Sequence, residues 1–306
     1  MRLNRVRRAL GASCVLLLML VAADDAKSGG DTKDGKAAKA AAAPPAGWRE
    51  RFDAVYRLGD EEVVKLVGPP FIPERADYYR RVVARNPNAN LAVLGQFMFW
   101  WDGKLQMWSL SSSGGTVASA LANCGGLERY DMEIDDGLRL RPVEGDWIVR
   151  KSAPREKRIA ALQDILRQRL RREVVIEKRK VEREVVAVSG TLPRELPGGE
   201  AVHLYTDPRD LGDAPSGGGS GTLTEFFASV GGQLDRKFID ETAPPAAARR
   251  LIWHWHMSAS GIEANDNKIK LLLANLSQQT GLTFTRRTDE VEVWKLTDPA
   301  EGKTGL

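Results

Sequence analysis

The sequence predicts an α+β protein of repeated helix–strand–strand units that share antiparallel or mixed sheets, preceded by a helical segment and a β-hairpin. Three observations carry this. An apolar pattern at i, i+3, i+4 and i+7, with a strand-like run under way at i+15, is spelled four times. Each copy switches from a helical period to a strand period at the same phase. An aromatic hairpin with a turn dipeptide at its tip lies ahead of the first copy.

The chain opens with a predicted export signal. Arg2, Arg5, Arg7 and Arg8 precede an uncharged apolar run, Ala9 to Ala23, ending in the small residues Val21-Ala22-Ala23 before Asp24. The run is shorter than the roughly 20 residues of a spanning helix, so residues 1–23 read as a cleaved signal, with a retained signal anchor as the alternative. Cys14 lies inside the run and not after it, which argues against a lipoprotein. The expected location is periplasmic or extracellular, with membrane contact only through an uncleaved signal.

Export changes the charge argument. Of 45 basic residues four lie in the signal, which holds no acid, so the rest balance the 41 acidic residues. A global pull toward nucleic acid is absent, and no nucleic-acid partner is expected. One local excess, within Arg155 to Arg183, reads first as a solvated amphipathic face. Its second reading is a polyanion contact through Arg167 to Arg183. Cys124 alone remains after cleavage, so stability must come from a core rather than a disulfide. It occupies the i+7 apolar slot of its helix and reads as a buried, inert thiol.

Residues 24–46 are rich in Ala, Lys, Asp, Gly and Pro and read as a disordered spacer. From Trp48 the pattern is helical and looped. Asp60 reads as the cap of a helix over Glu61 to Val67, ended by Gly68-Pro69-Pro70. Pro73 starts a second helix through Ala84, stopped by Asn86-Pro87. Leu91 to Trp101 and Lys104 to Leu110 form the predicted hairpin around Asp102-Gly103. Phe97, Phe99 and Trp101 share one face, and Met98 and Trp100 the other. Core packing is the expected use of these rings, and a binding platform the alternative.

The four helices start at Val117, Ile159, Leu223 and Ile269, the second breaking the pattern at Gln163. Two strands are expected after each: Tyr130 to Ile134 and Asp146 to Arg150; Glu173 to Glu177 and Glu184 to Val188; Arg236 to Ile239 and Leu251 to Met257; Leu282 to Arg286 and Val291 to Leu296. The units divide into a region 47–152, holding the first copy, and a region 153–298, holding the other three, with a tail at 299–306. Thr191 to Gly221 reads as an insertion, and its Ser216 to Gly221 stretch as a linker.

The repeats carry a resemblance. The segments are TVASALANCGGLERYDMEI, RIAALQDILRQRLRREVVIEKRKVEREVVAVSG, TLTEFFASVGGQLDRKFIDET with RLIWHWHM, and NKIKLLLANLSQQTGLTFTRRTDEVEVWKLTD. In order and phasing, Gly114 to Asp298 resembles a soil-associated family of exported bacterial proteins, a domain of unknown function. The resemblance implies an exported α+β protein with no known activity. Some members of that family are joined to antirepressor-type membrane metallopeptidases, which implies extracytoplasmic sensing or interaction. Single units also look like the short N-terminal domains of secretins and TonB-dependent receptors, which mediate protein contacts. The front part, Trp48 to Ser113, is not matched, and the family supplies no catalytic residues.

Few residues point to chemistry. His254 and His256 share a strand face at i and i+2 and could reach one metal, with His203 as a third ligand. Trp253, Trp255 and Met257 take the other face, so the run is also an ordinary alternation with polar residues outward. No metal or other cofactor is therefore assigned. Acidic groups at Asp60-Glu61-Glu62, at Asp131, Glu133, Asp135 and Asp136, and at Asp235, Asp240 and Glu241 read as surface charge. A glycosidase would need two of them facing across a cleft. Ser111 to Gly115 lacks the Lys of a phosphate loop and the G-x-S-x-G of a nucleophile elbow. No catalytic residue is assigned. The expected function is a non-enzymatic envelope or extracellular interaction module, whose partner is another envelope protein. Its alternatives are an extracytoplasmic hydrolase of cell-wall or plant-derived polymer, and a polyanion-binding protein.

Overall fold

The computed structural model describes residues 47–84, 95–111, 115–197, 199–243, 250–256 and 265–300. The expected signal and spacer, Asn86-Pro87, residues 91–94, Met257 and all but the start of the tail lie outside them. Among the described residues, seven α-helices and eleven strands form three sheets, an α+β fold. The chain divides into two compact units. The first comprises residues up to Gly126, Asp135–Val175 and the C-terminal residues from Thr297; the second comprises Leu127–Ile134 and Ile176–Leu296.

The first unit holds helices α1 (Trp48–Tyr56), α2 (Pro73–Ala84), α3 (Val117–Gly125), α4 (Asp136–Arg139) and α5 (Arg155–Leu170). Its sheet has the order β1-β5-β2-β3, from β1 (Val64–Val67), β2 (Gln96–Trp101), β3 (Leu105–Ser111) and β5 (Asp146–Arg150). The helix expected over Glu61 to Val67 is instead a loop leading into β1, antiparallel to β5 with Val64 opposite Val149. Too few residues separate Asp60 from Gly68 for a stable helix, and Val63, Val64 and Val67 favour the pleated strand. The hairpin forms as expected, and Gly103 takes the positive φ of 80° that its turn requires. Met98 pairs with Ser109 but Phe99 pairs with Met107, so Trp108 is bulged out of register. It stacks on Trp100 at 5.1 Å between ring centroids.

The other face of the hairpin enters the core. Phe97 and Phe99 are fully buried against Phe52, Tyr56 and Tyr79. At the centre of this layer Asp146 is fully buried with Arg75 beside it. Arg75 donates from Nε to Asp146 Oδ2 (2.5 Å) and from Nη2 to Oδ1 (2.7 Å). Tyr56 donates its hydroxyl to Oδ2 (2.6 Å), and the Phe97 amide donates to Oδ1 (2.9 Å). Burial and the Asp146 carboxylate push the Tyr56 phenol far above its ordinary value.

The second unit holds α6 (Leu223–Leu234) and α7 (Asp266–Thr280) with two sheets. One has the order β4-β11-β6-β9, from β4 (Met132–Ile134), β6 (Val175–Gly190), β9 (Lys237–Thr242) and β11 (Thr283–Thr297). The strand pairs expected after the second and fourth helices are each one long strand, β6 and β11. The polar middle of β6 is held as strand by ladder and charge: Lys180 pairs with Glu290 (2.7 Å) and Lys178 with Glu292 (4.0 Å). The other sheet is β7-β10-β8, from β7 (Ala201–Leu204), β8 (Gly217–Thr222) and β10 (Arg250–Trp255). The stretch expected to be a linker, Ser216 to Gly221, is therefore mostly strand β8.

The helical pattern is met in the core. Val117, Ala120, Leu121 and Cys124 of α3 are buried, as are Ile159, Leu162 and Leu166 of α5. Leu223, Phe226, Phe227 and Val230 of α6 and Ile269, Leu272, Leu273 and Leu276 of α7 are buried too. Thr116 and Thr222 cap α3 and α6 through reciprocal bonds with Ser119 and Glu225.

The Asp146 network generates a prediction. Arg75→Met leaves a buried carboxylate without its counter-charge and is expected to cost about 3–5 kcal/mol of unfolding free energy. Tyr56→Phe removes one charge-assisted bond and should cost about 1.5–3 kcal/mol. Urea unfolding followed by tryptophan fluorescence reads both. Equal stability of Arg75→Met and wild type would show that the pair does not hold the unit together.

Candidate functional site

The outer face of β7-β10-β8 follows from strand alternation. Val202, Leu204, Leu251, Trp253 and Trp255 are buried on the inner face. His203, Ile252 and His254 therefore stand on the outer face. Parallel pairing sets His254 directly beside His203. The ladder runs one step past β10, where the His256 amide donates to Leu204 O (2.9 Å). The three histidines of the chain thus meet at one place.

His203 Nδ1 lies 2.9 Å from His256 Nε2. The His203 ring centroid is 5.0 Å from that of His256 and 5.7 Å from that of His254. His256 Nδ1 lies 3.2 Å from Asp213 O, and a carbonyl can only accept. In neutral rings this places the His256 proton on Nδ1 and leaves Nε2 to accept from His203 Nδ1–H. The lone pair of His203 then resides on Nε2. Burial, then the imidazoles of His256 and His254, hold the His203 pKa below the ordinary histidine value. A shallow depression beside His203 is lined by Pro197, Tyr205, Leu211, Gln278 and Gln279.

The two edges of this sheet differ. At β7 the side chain of Gln279 acts as a surrogate strand, accepting from the His203 amide (2.8 Å) and donating to the His203 carbonyl (2.7 Å). Asn275 donates to Tyr205 O (2.8 Å). At the other edge β8 reads Gly-Gly-Gly-Ser-Gly-Thr, and among the described residues it pairs with β10 alone. Gly217, Gly218 and Ser220 are exposed. Ile252, paired with Ser220, leaves 46 % of its surface open to solvent.

Several of the remaining candidates are engaged within the fold. Asp131 pairs with Lys237 (3.0 Å), Glu133 with Arg183 (2.8 Å), Asp235 with Arg129 (3.3 Å) and Glu241 with Arg287 (2.6 Å). Within the basic stretch, Arg167 binds Val174 O (2.8 Å), Arg172 binds Asp298 (2.9 Å) and Arg179 binds Glu177 (2.7 Å). Cys124 is fully buried, and desolvation drives its thiol pKa far upward. Among the described residues no group of three or more His, Cys, Asp or Glu side chains stands ready to enclose a metal ion.

The site residues missing from the sequence reading are Gln279 and the glycines of β8. Gln279 lies one turn beyond Asn275 on α7, and this i, i+4 polar pair inside an apolar pattern is its signal. No family model, curated protein or solved structure matches the chain.

Two outcomes follow. The depressed His203 pKa means that the folded state holds its proton less tightly than the unfolded chain. Stability from this group is complete above the unfolded value of about 6.5 and is lost as pH falls below it. Thermal melts from pH 7.5 to 5.5 should show wild type losing more stability than His203→Gln; parallel losses would clear His203 of the effect. Native protein should also leave Cys124 unmodified by a thiol reagent that reacts stoichiometrically once urea unfolds the chain. Rapid native labelling would contradict its burial.

Proposed function

We propose that this chain is a non-enzymatic, exported interaction module of the periplasm or extracellular space. Its partner is another envelope protein, taken as an extended segment that adds to the free edge of β8. One observation carries the reading: a glycine-rich strand that among the described residues pairs with β10 alone, beside an exposed Ile252. Exposed edges are ordinarily blunted by charge, proline or a bulge, because their open N–H and C=O groups template a further strand. Here the β7 edge is closed by Gln279 and Asn275, whereas β8, Gly-Gly-Gly-Ser-Gly-Thr, carries neither a charged side chain nor a proline. Strand addition supplies backbone hydrogen bonds for affinity, and Ile252 offers one apolar contact for register.

The export signal and the resemblance to exported interaction domains support the location. The hydrolase alternative draws on the meeting of His203 and His256; the depression beside His203 is lined by Pro197, Tyr205, Leu211, Gln278 and Gln279, with no carboxylate among these. The polyanion alternative draws on Arg167 to Arg183, where most of the basic side chains already have protein partners.

Ser220→Cys, carrying a benzophenone on the new thiol, tests the edge in intact cells. Buried Cys124 leaves the label specific. Irradiation should join the chain to one envelope protein, and Ile252→Lys should abolish the product. The same label at Lys270, on the exposed side of α7, should give none. An adduct that forms equally at both positions, or survives Ile252→Lys, removes β8 as the docking edge.

A further inference from the structure

We infer that the depression at the β7 edge binds one ring of a neutral sugar. It lies at the opposite edge of the sheet from β8 and does not depend on docking there. Strand alternation and one helix build it. Val202 and Leu204 are buried, so His203 and Tyr205, the latter one step past the end of β7, stand on the same outer face. Helix α7 holds the backbone of both. Gln279 bonds the His203 amide and carbonyl, and Asn275 donates to Tyr205 O (2.8 Å). Gln278 of α7, Pro197 and Leu211, from the short helical turn Pro208–Gly212, complete the lining. The depression measures about 240 Å³. Sites for drug-sized ligands run to roughly 300–1,000 Å³, so this one suits a single ring.

The lining selects the chemistry. None of its six residues is an acid, a lysine or an arginine, so with His203 neutral nothing favours a charged ligand. Three polar groups are open to hydrogen bonding. Neutral His203 keeps its lone pair on Nε2, since its Nδ1 faces His256 Nε2 and His256 Nδ1 faces Asp213 O. Among the described residues neither the Tyr205 hydroxyl nor the Gln278 amide has a hydrogen-bond partner. The set joins an acceptor, a hydroxyl that both donates and accepts, and an amide that offers two donors and a carbonyl. Sugar hydroxyls each donate and accept, and so match a mixed set. The Tyr205 ring, Pro197 and Leu211, which leaves 41 % of its surface open, give apolar contact to the C–H faces of the sugar.

An extended peptide fits this place worse. It would need the open N–H and C=O groups of a sheet edge, and Gln279 and Asn275 already occupy them here. The same clamps fix the backbone under His203 and Tyr205 before a ligand arrives, which lowers the ordering cost of binding. A few neutral hydrogen bonds and one stacking contact correspond to a dissociation constant on the order of 1 mM for a single ring.

The test is saturation-transfer NMR on the intact chain with glucose, galactose, N-acetylglucosamine, glucuronate and the tripeptide Ala-Tyr-Ala. Transfer is expected to the ring protons of at least one neutral sugar, with glucuronate at background. Gln278→Ala, at an exposed position, and Tyr205→Ala should each weaken that binding by about 10-fold. Circular dichroism checks the fold of each variant, and Gln278→Ala carries the test if Tyr205→Ala misfolds. No transfer to any of the three neutral sugars overturns the site, as does an affinity unchanged by Gln278→Ala. Equal transfer to glucuronate overturns the neutral class. Transfer to the tripeptide alone overturns the sugar reading and assigns the depression to a side chain of a protein partner.

Discussion

Asp146 is the constraint on which the first unit depends. A carboxylate with no solvent exposure is tolerated only when its lone pairs are occupied and its charge is answered. Four donors from three elements do this: Nε and Nη2 of Arg75 in α2, the hydroxyl of Tyr56 in α1, and the amide of Phe97 in β2. Arg75 Nη2 is itself shared with Gly95 O (2.6 Å), and the guanidinium lies over the rings of Phe71 and Phe97. Apolar packing alone would let two helices slide over an aromatic sheet at small cost. The carboxylate does not, because a shift of about 1 Å breaks charge-assisted bonds whose loss in a low dielectric is severe. We read this network as setting the register of α1 and α2 on the sheet, while the ring stack of Phe52, Tyr56, Tyr78 and Phe99 supplies the buried area.

The second unit solves a backbone problem instead. A three-stranded sheet has two edges and too few strands to hide them. Gln279 closes one by imitating a peptide group, an economical device since one amide satisfies both the N–H and the C=O of His203. The other edge is shaped by packing. A Cβ at Gly219 would come within 2.6 Å of the Trp253 ring, and one at Gly221 within 2.4 Å of Glu225 Oε2. Trp253 thus presses closely on β8 at 219, and a side chain at 221 would push Glu225 out of its cap on Thr222. The tight core on one side of the sheet strips the neighbouring edge of side chains.

What was legible in the sequence was legible for local reasons. The faces of α3, α5, α6 and α7 could be read because a helix writes its buried side within two turns, and each named apolar position is buried. The α+β class followed from the switch of period after each helix. The errors also have physical causes. The run Glu177 to Glu184 looks like a break because its side chains are charged and solvated; the strand persists through pairing to β11, more than 100 residues away in sequence. β8 carries no side-chain period because glycine has none. Asp146 and its partners Arg75 and Tyr56 are 71 and 90 residues apart, beyond any spacing rule.

The histidines show the same boundary between local and distant information. Their common face, on β10 and one step past its end, is a matter of alternation and could be read directly from residues 254 and 256. Their meeting with His203 needed the parallel pairing of β7 with β10, which no short pattern specifies. That pairing converts a bland alternation into a polar pair at 2.9 Å. Burial and the two neighbouring imidazoles hold the His203 pKa below the ordinary histidine value. The pair is joined by that one contact, with His256 Nδ1 turned in the other direction toward Asp213 O. One hydrogen bond thus ties the end of the ladder together, with the His254 ring 5.7 Å from that of His203 beside it.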